Sequence, residues 1–109
     1  MDIILCYVTY PDKRNAIDLC NDMLSQKLIA CYNIIPIHSG YMWDHVLQND
    51  SEIVSILKTT ANCIPLIESY LEKHHPYDIP CLLHWKSGVN SSYGKWVTEN
   101  TLSPPPDIK

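Results

Sequence analysis

One segment limits the possible folds more than any other. From Leu28 to Trp43 the chain is dominated by residues that favour extended backbone, among them Ile29, Tyr32, Ile34, Ile35, Ile37, Tyr41 and Trp43. Pro36 and Gly40 interrupt the stretch, so bends or bulges are expected there in place of a flat central strand. Asp44-His45 can turn the chain. Ser51 to Thr59, with Ile53, Val54, Ile56 and Leu57, then supplies the next strand.

The flanking segments alternate in type. Asp2 to Tyr10 reads as a strand with little polar alternation, hence apolar on both faces, and Pro11 stops it. Asp12 can cap a helix to about Gln26, on which Ala16, Leu19, Cys20, Met23 and Leu24 recur at helical spacing. Asn62 is expected to cap a second helix through His74; Pro65 falls early enough to be tolerated, and Pro76 ends it. Ile79 to Trp85 gives a fourth strand and Gly88 to Ser91 a turn. A helix from Ser92 to Thr101 would bury Tyr93, Trp96 and Val97.

The order β-α-β-β-α-β plus a terminal helix predicts an α+β, ferredoxin-like sandwich in one domain over residues 1–102, with a Pro-rich extended tail over 103–109. At 109 residues the chain suits a single modest core. Two helices cover one face of such a sheet. The other face carries Tyr41, Trp43 and apolar residues of several strands, so self-association is expected on physical grounds.

Charge and cysteine content narrow the partners. A net charge of −4, with eight basic against twelve acidic residues, argues against nucleic-acid binding. No apolar run approaches the ~20 residues of a membrane span, and no secretory signal is read at the start. Five cysteines, an odd number without CxxC spacing, fit reduced thiols and a cytoplasmic location. Cys6, Cys20, Cys31 and Cys63 read as packing residues.

Several segments together resemble the CutA divalent-cation tolerance proteins. They are Tyr7-Val8-Thr9-Tyr10-Pro11, the run from Leu28 to Pro36, Ser39 to Trp43 with Glu52 and Leu57-Lys58-Thr59, His74 to Pro80, and Tyr93 to Val97. The resemblance spans nearly the whole chain in order. It implies a ferredoxin-like subunit, a homotrimer, and a role linked to copper or other divalent cations with no defined catalytic reaction. It also offers an alternative by analogy, a trimeric scaffold or PII-like regulator that binds a protein partner or small ligand. The chain departs from the family pattern at Cys81, where a glutamate is usual, at Gly40, at the turn Asp44 to Leu47, and over Leu83 to Ser87.

A metal site is the chemistry that these residues best support. His75 and Cys81 are the expected ligands, with His74 auxiliary, because imidazole and thiolate suit copper and zinc. The competing reading is structural: a histidine in the last helical turn can bond free carbonyls, and a lone cysteine is commonly buried. Tyr41, Trp43 and Tyr77 are candidates for lining a cleft or interface, and Lys58 with Glu52 for polar contacts at a subunit boundary. No nucleophile elbow, Walker loop or HExxH motif occurs, so no enzyme activity is expected.

Overall fold

The computed structural model describes residues 1–104. It contains β1 (Asp2–Tyr10), α1 (Lys13–Ser25), β2 (Cys31–Trp43), β3 (Val46–Thr59), α2 (Ile64–His74), β4 (Leu82–Gly88) and α3 (Ser91–Glu99). The strands form one antiparallel sheet in the order β2-β3-β1-β4, the arrangement expected of a ferredoxin-like βαββαβ unit with an added helix. The expected tail lies outside the described residues over 105–109.

Alternation along the strands sorts side chains onto two faces. Cys6, Val8, Tyr10 and Leu57 meet Ala16, Leu19, Cys20 and Met23 of α1 and Ile67 and Leu71 of α2, and this is the core. Tyr10 is fully buried, so its phenol needs a partner; it lies 2.7 Å from Ser55 Oγ, itself fully buried. Helix α1 starts as the sequence predicts, with Asp12 Oδ1 accepting from the Asn15 N–H at 2.8 Å. It ends in a Schellman motif. Leu28 N–H donates to the Met23 carbonyl and Lys27 N–H to that of Leu24, with Lys27 held at φ 60°.

Four local expectations are corrected. First, β2 is neither bent out of register nor bulged at Pro36 or Gly40. Pairing with β3 runs unbroken from Cys31↔Lys58 to Trp43↔Val46. The reason is position: β2 is the outer strand, where a missing N–H need not break the sheet. Second, β3 begins at Val46, five residues ahead of Ser51, because the polar run Gln48 to Glu52 is held extended by β2. Third, Asn62 does not cap α2. A short 3-10 turn over Ala61–Cys63 precedes that helix, and Asn62 Nδ2 donates to the Leu102 carbonyl. Fourth, Trp96 is not buried by α3 but stays 43% exposed, while Val97 and Gly94 face inward.

The β2–β3 hairpin turns through Asp44 and His45, at φ 52° and 64°. Two consecutive left-handed residues make the tight primed turn whose twist matches the strands. The hairpin tip is apolar on both sides. Tyr41, Trp43 and Val46 point one way and Met42 and Leu47 the other, and the last two are 63% and 64% exposed.

Candidate functional site

Where α2 ends, two adjacent histidines part company. His74 lies against Tyr70 of its own helix, ring centroids 4.6 Å apart, on the exposed helical layer. His75 leaves the helix with extended backbone and turns inward. Its ring is buried between Tyr10, at 5.4 Å, and Tyr77, at 4.8 Å.

Both nitrogens of His75 are engaged by backbone. Nε2 lies 2.8 Å from the Thr9 carbonyl, and Nδ1 lies 3.1 Å from the Tyr77 N–H. A carbonyl only accepts and an amide N–H only donates, so Nε2 carries the proton and Nδ1 offers its lone pair. The ring is thereby fixed as one neutral tautomer. Burial also holds its pKa below the usual imidazole value, against the opposing pull of the Thr9 carbonyl and Glu52. Pairing of β4 with β1 stops at Val8↔Leu82, one residue short of Thr9. His75 takes the place that β4 vacates.

This geometry leaves no lone pair on His75 for a metal ion. Within one chain the ring is held by backbone on both nitrogens and is not presented to an ion. Cys81 is half-buried, and burial, with the Glu52 carboxylate adding to it, raises its thiol pKa. Both causes disfavour the thiolate, the form that a metal ion binds. His74, Cys81 and His75 do not form a coordinating set: among the described residues, no group of three or more His, Cys, Asp or Glu side chains is placed to hold a metal ion.

The structure does bring Tyr41, Trp43 and Tyr77 together, around a cleft of about 530 Å³. Tyr41 and Trp43 are alternate residues of β2, on the sheet face away from α1 and α2. The Pro76–Ile79 segment forms the facing wall, and Gln48 and Glu52 of β3 complete it. Two phenol–carboxylate bonds brace the walls: Tyr77 donates to Glu52 at 2.6 Å and Tyr41 to Asp50 at 2.5 Å. The Tyr77 hydroxyl pKa is raised by burial and by the bond to Glu52.

Lys58 is not part of this cleft. It stands six residues from Glu52 along β3, roughly 20 Å away, where Nζ donates to Asn33 Oδ1 and lies 3.7 Å from Cys31 Sγ. The sequence alone pairs Glu52 with Lys58 and does not bring Glu52, Asp50 or Asp78 to the aromatic residues. Strand alternation on either side of Asp44-His45 was the signal: a two-residue turn sets Tyr41 opposite Gln48 and Ile37 opposite Glu52.

Comparison with known proteins points one way. The family model of the CutA1 divalent ion tolerance protein matches residues 4–100. The chain is 35% identical over 101 residues to the divalent-cation tolerance protein CutA of Thermotoga maritima, covering 92% of this chain and all of that one. It is 31% identical over 100 residues to the human protein CutA, of which it spans 55%. Among solved structures, CutA1 from Oryza sativa superposes with a TM-score of 0.89 at 33% identity, covering 94% of this chain and 95% of that one. CutA1 from Pyrococcus horikoshii gives 0.88 at 31% identity, covering 92% and 99%.

Proposed function

Since this chain belongs to the CutA1 divalent ion tolerance family, we propose that it serves cation tolerance as a self-assembling binding protein and not as an enzyme. The hairpin tip carries this reading. A two-stranded ribbon with Trp43 50% exposed on one side and Met42 and Leu47 almost two-thirds exposed on the other has nothing of its own chain to pack on. Side chains of this kind each gain about 1.5–3 kcal/mol on full burial. Enclosing the ribbon between further copies of the chain, three in all, captures that gain and covers the outer strand β2.

Assembly also bears on the cation. One chain gathers no three-donor set among its described residues, and assembly would bring donors of neighbouring copies together. Exposed side chains such as His38, His45 and His74 are available for that role. A hard or borderline divalent cation fits such donors better than the soft copper(I) ion that a His75–Cys81 pair would have favoured. The five free thiols fit a reducing, cytoplasmic setting.

Light scattering coupled to zinc titration tests the reading, on the wild type and on Met42→Glu/Leu47→Glu. The wild type is expected at the mass of a trimer. The double variant is expected at lower mass, with cation affinity reduced in step. A wild type that is monomeric at micromolar concentration would refute assembly. A dissociated variant that binds zinc as the wild type does would refute a shared cation site.

A further inference from the structure

We propose that Cys31 and Lys58 form a peroxide-reactive pair that closes into a covalent S–N bridge between β2 and β3. The two residues stand directly opposite each other in the β2–β3 ladder, where Cβ atoms lie roughly 4.5–5.5 Å apart. Lys58 Nζ lies 3.7 Å from Cys31 Sγ. It also donates to Asn33 Oδ1 on the same strand as Cys31, which steadies the ammonium beside the sulfur.

The surroundings single out this thiol among five. Cys6, Cys20 and Cys63 are buried in the core, and burial pushes the Cys6 thiol up to about 12 and raises that of Cys20. Cys81 is raised by burial and by the Glu52 carboxylate. Cys31 is half-buried with a cation at hand, where Cys81 has a carboxylate. A neighbouring lysine favours the thiolate, the form that attacks a peroxide.

The pair sits at the root of the hairpin, at the far end of β2 from Trp43 and roughly 40 Å from the tip. Helix α3 of the same chain lies across this end of the sheet, touching both β1 and β3. Gly94 packs against Met1, Thr101 Oγ1 lies 3.5 Å from Thr60 Oγ1, and burial together with the Cys31 sulfur raises the Tyr93 hydroxyl pKa. One chain therefore builds the whole site, and the reaction asks for nothing larger than hydrogen peroxide. Enclosure of the tip between copies leaves it in place.

The chemistry balances in two steps. The Cys31 thiolate attacks one peroxide oxygen, the O–O bond breaks, and the departing hydroxide takes a proton from the Lys58 ammonium and leaves as water. A sulfenic acid and a neutral amine now stand side by side. The amine lone pair attacks the sulfur, the S–O bond breaks, and the leaving hydroxide takes a proton from the nitrogen, releasing a second water. Sulfur is oxidised and peroxide is reduced. A sulfenic acid condenses with a backbone nitrogen in the same way.

Peptide mapping by mass spectrometry, after the full chain is treated with equimolar hydrogen peroxide, tests the proposal. The wild type is expected to yield joined Cys31 and Lys58 peptides about 2 Da lighter than their sum, separated again by dithiothreitol. Lys58→Arg keeps the cation without the amine, so Cys31 is expected to stop at the sulfenic acid and to be labelled by dimedone. Cys81→Ser is expected to form the bridge as the wild type does, and urea-unfolded wild type to form none. Absence of the joined peptides from folded wild type overturns the proposal, as does oxidation of Cys81 ahead of Cys31. A bridge confined to the dissociated Met42→Glu/Leu47→Glu variant would show that assembly closes the site, and overturns it as well. Zinc titration and light scattering on unoxidised protein read the proposed function separately.

Discussion

Replacing His75 by alanine separates a structural histidine from a metal ligand. The substitution strands the Thr9 carbonyl, which His75 Nε2 holds at 2.8 Å, at a cost of about 1–3 kcal/mol for a buried acceptor. It removes the acceptor of the Tyr77 N–H, and it deletes a ring packed between Tyr10 and Tyr77, worth about 0.5–1.5 kcal/mol. These losses share one site and do not simply add, so a total of about 2–4 kcal/mol is expected. His75→Gln retains a donor for Thr9 and should lose roughly half as much.

The pH dependence gives the same residue a signature. The imidazole pKa is lowered in the folded chain from its ordinary 6.5. Between 6.5 and the folded value the unfolded chain binds a proton that the folded chain refuses. Stability from this group is therefore complete above pH 6.5 and falls as pH drops through that window, by up to about 1.4 kcal/mol per pH unit. Urea unfolding of wild type and His75→Gln at one protomer concentration, from about pH 7.5 to about pH 5.5, isolates it as the difference between the two curves. A difference that stays flat through the window would refute the reasoning, as would an alanine variant losing under about 0.5 kcal/mol. Chelator should shift wild type and His75→Gln alike; a loss confined to the wild type would restore His75 as a ligand.

Three other outcomes follow from the geometry. Tyr10→Phe leaves Ser55 Oγ without its 2.7 Å partner and should cost about 1–2 kcal/mol, and a double-mutant cycle with Ser55→Ala should show the two effects to be strongly non-additive. Lys27→Gly relieves a left-handed backbone at φ 60° while keeping the Schellman bonds, so chemical denaturation should show a gain of about 0.5–1 kcal/mol. Cys81 should react with iodoacetamide more slowly than free cysteine at the same pH, and Glu52→Gln, which removes one cause of its raised pKa, should speed it.

The fold was largely legible because its signals are local and strong. The β1 run before Pro11, the Asp12 cap and the spacing of Ala16, Leu19, Cys20 and Met23 each act over a few residues, and the structure places them as the sequence predicts. The errors came where distant partners decide. Asn62 has the chemistry of a cap, but its Oδ1 accepts from the Thr60 hydroxyl at 2.8 Å and its Nδ2 donates to the carbonyl of Leu102, forty residues on. His75 carries donors suited to a metal, yet its ring nitrogens are claimed by Thr9, on the strand that α2 packs beside, and by Tyr77. Sequence spacing cannot show which nitrogen meets which carbonyl, because that depends on where β4 stops pairing.

The cleft follows the same logic with the sign reversed. Gln48, Asn49, Asp50, Ser51 and Glu52 make a poor strand by propensity, and read alone they resemble a loop. The tight turn at Asp44-His45 forces them alongside β2, where Tyr41 lies opposite Gln48 and reaches diagonally to Asp50. The ladder holds them extended, so their alternation carries physical weight: Gln48, Asp50 and Glu52 share the face of Tyr41 and Trp43. A carboxylate set into a strand against its propensity is a local conflict, and such conflicts gather where a surface is built to bind. Replacing the turn should therefore affect the cleft before the core. A one-residue insertion between Asp44 and His45 shifts every β3 side chain near the tip to the other face, separating Asp50 and Glu52 from the rings, while α1, α2 and β1 keep their contacts. The Tyr41–Asp50 and Tyr77–Glu52 bonds should be lost, read as a shift in tyrosine absorbance, with helical circular dichroism intact. An unchanged tyrosine spectrum would mean that the hairpin register is set by the core, and the turn's role would have to be abandoned.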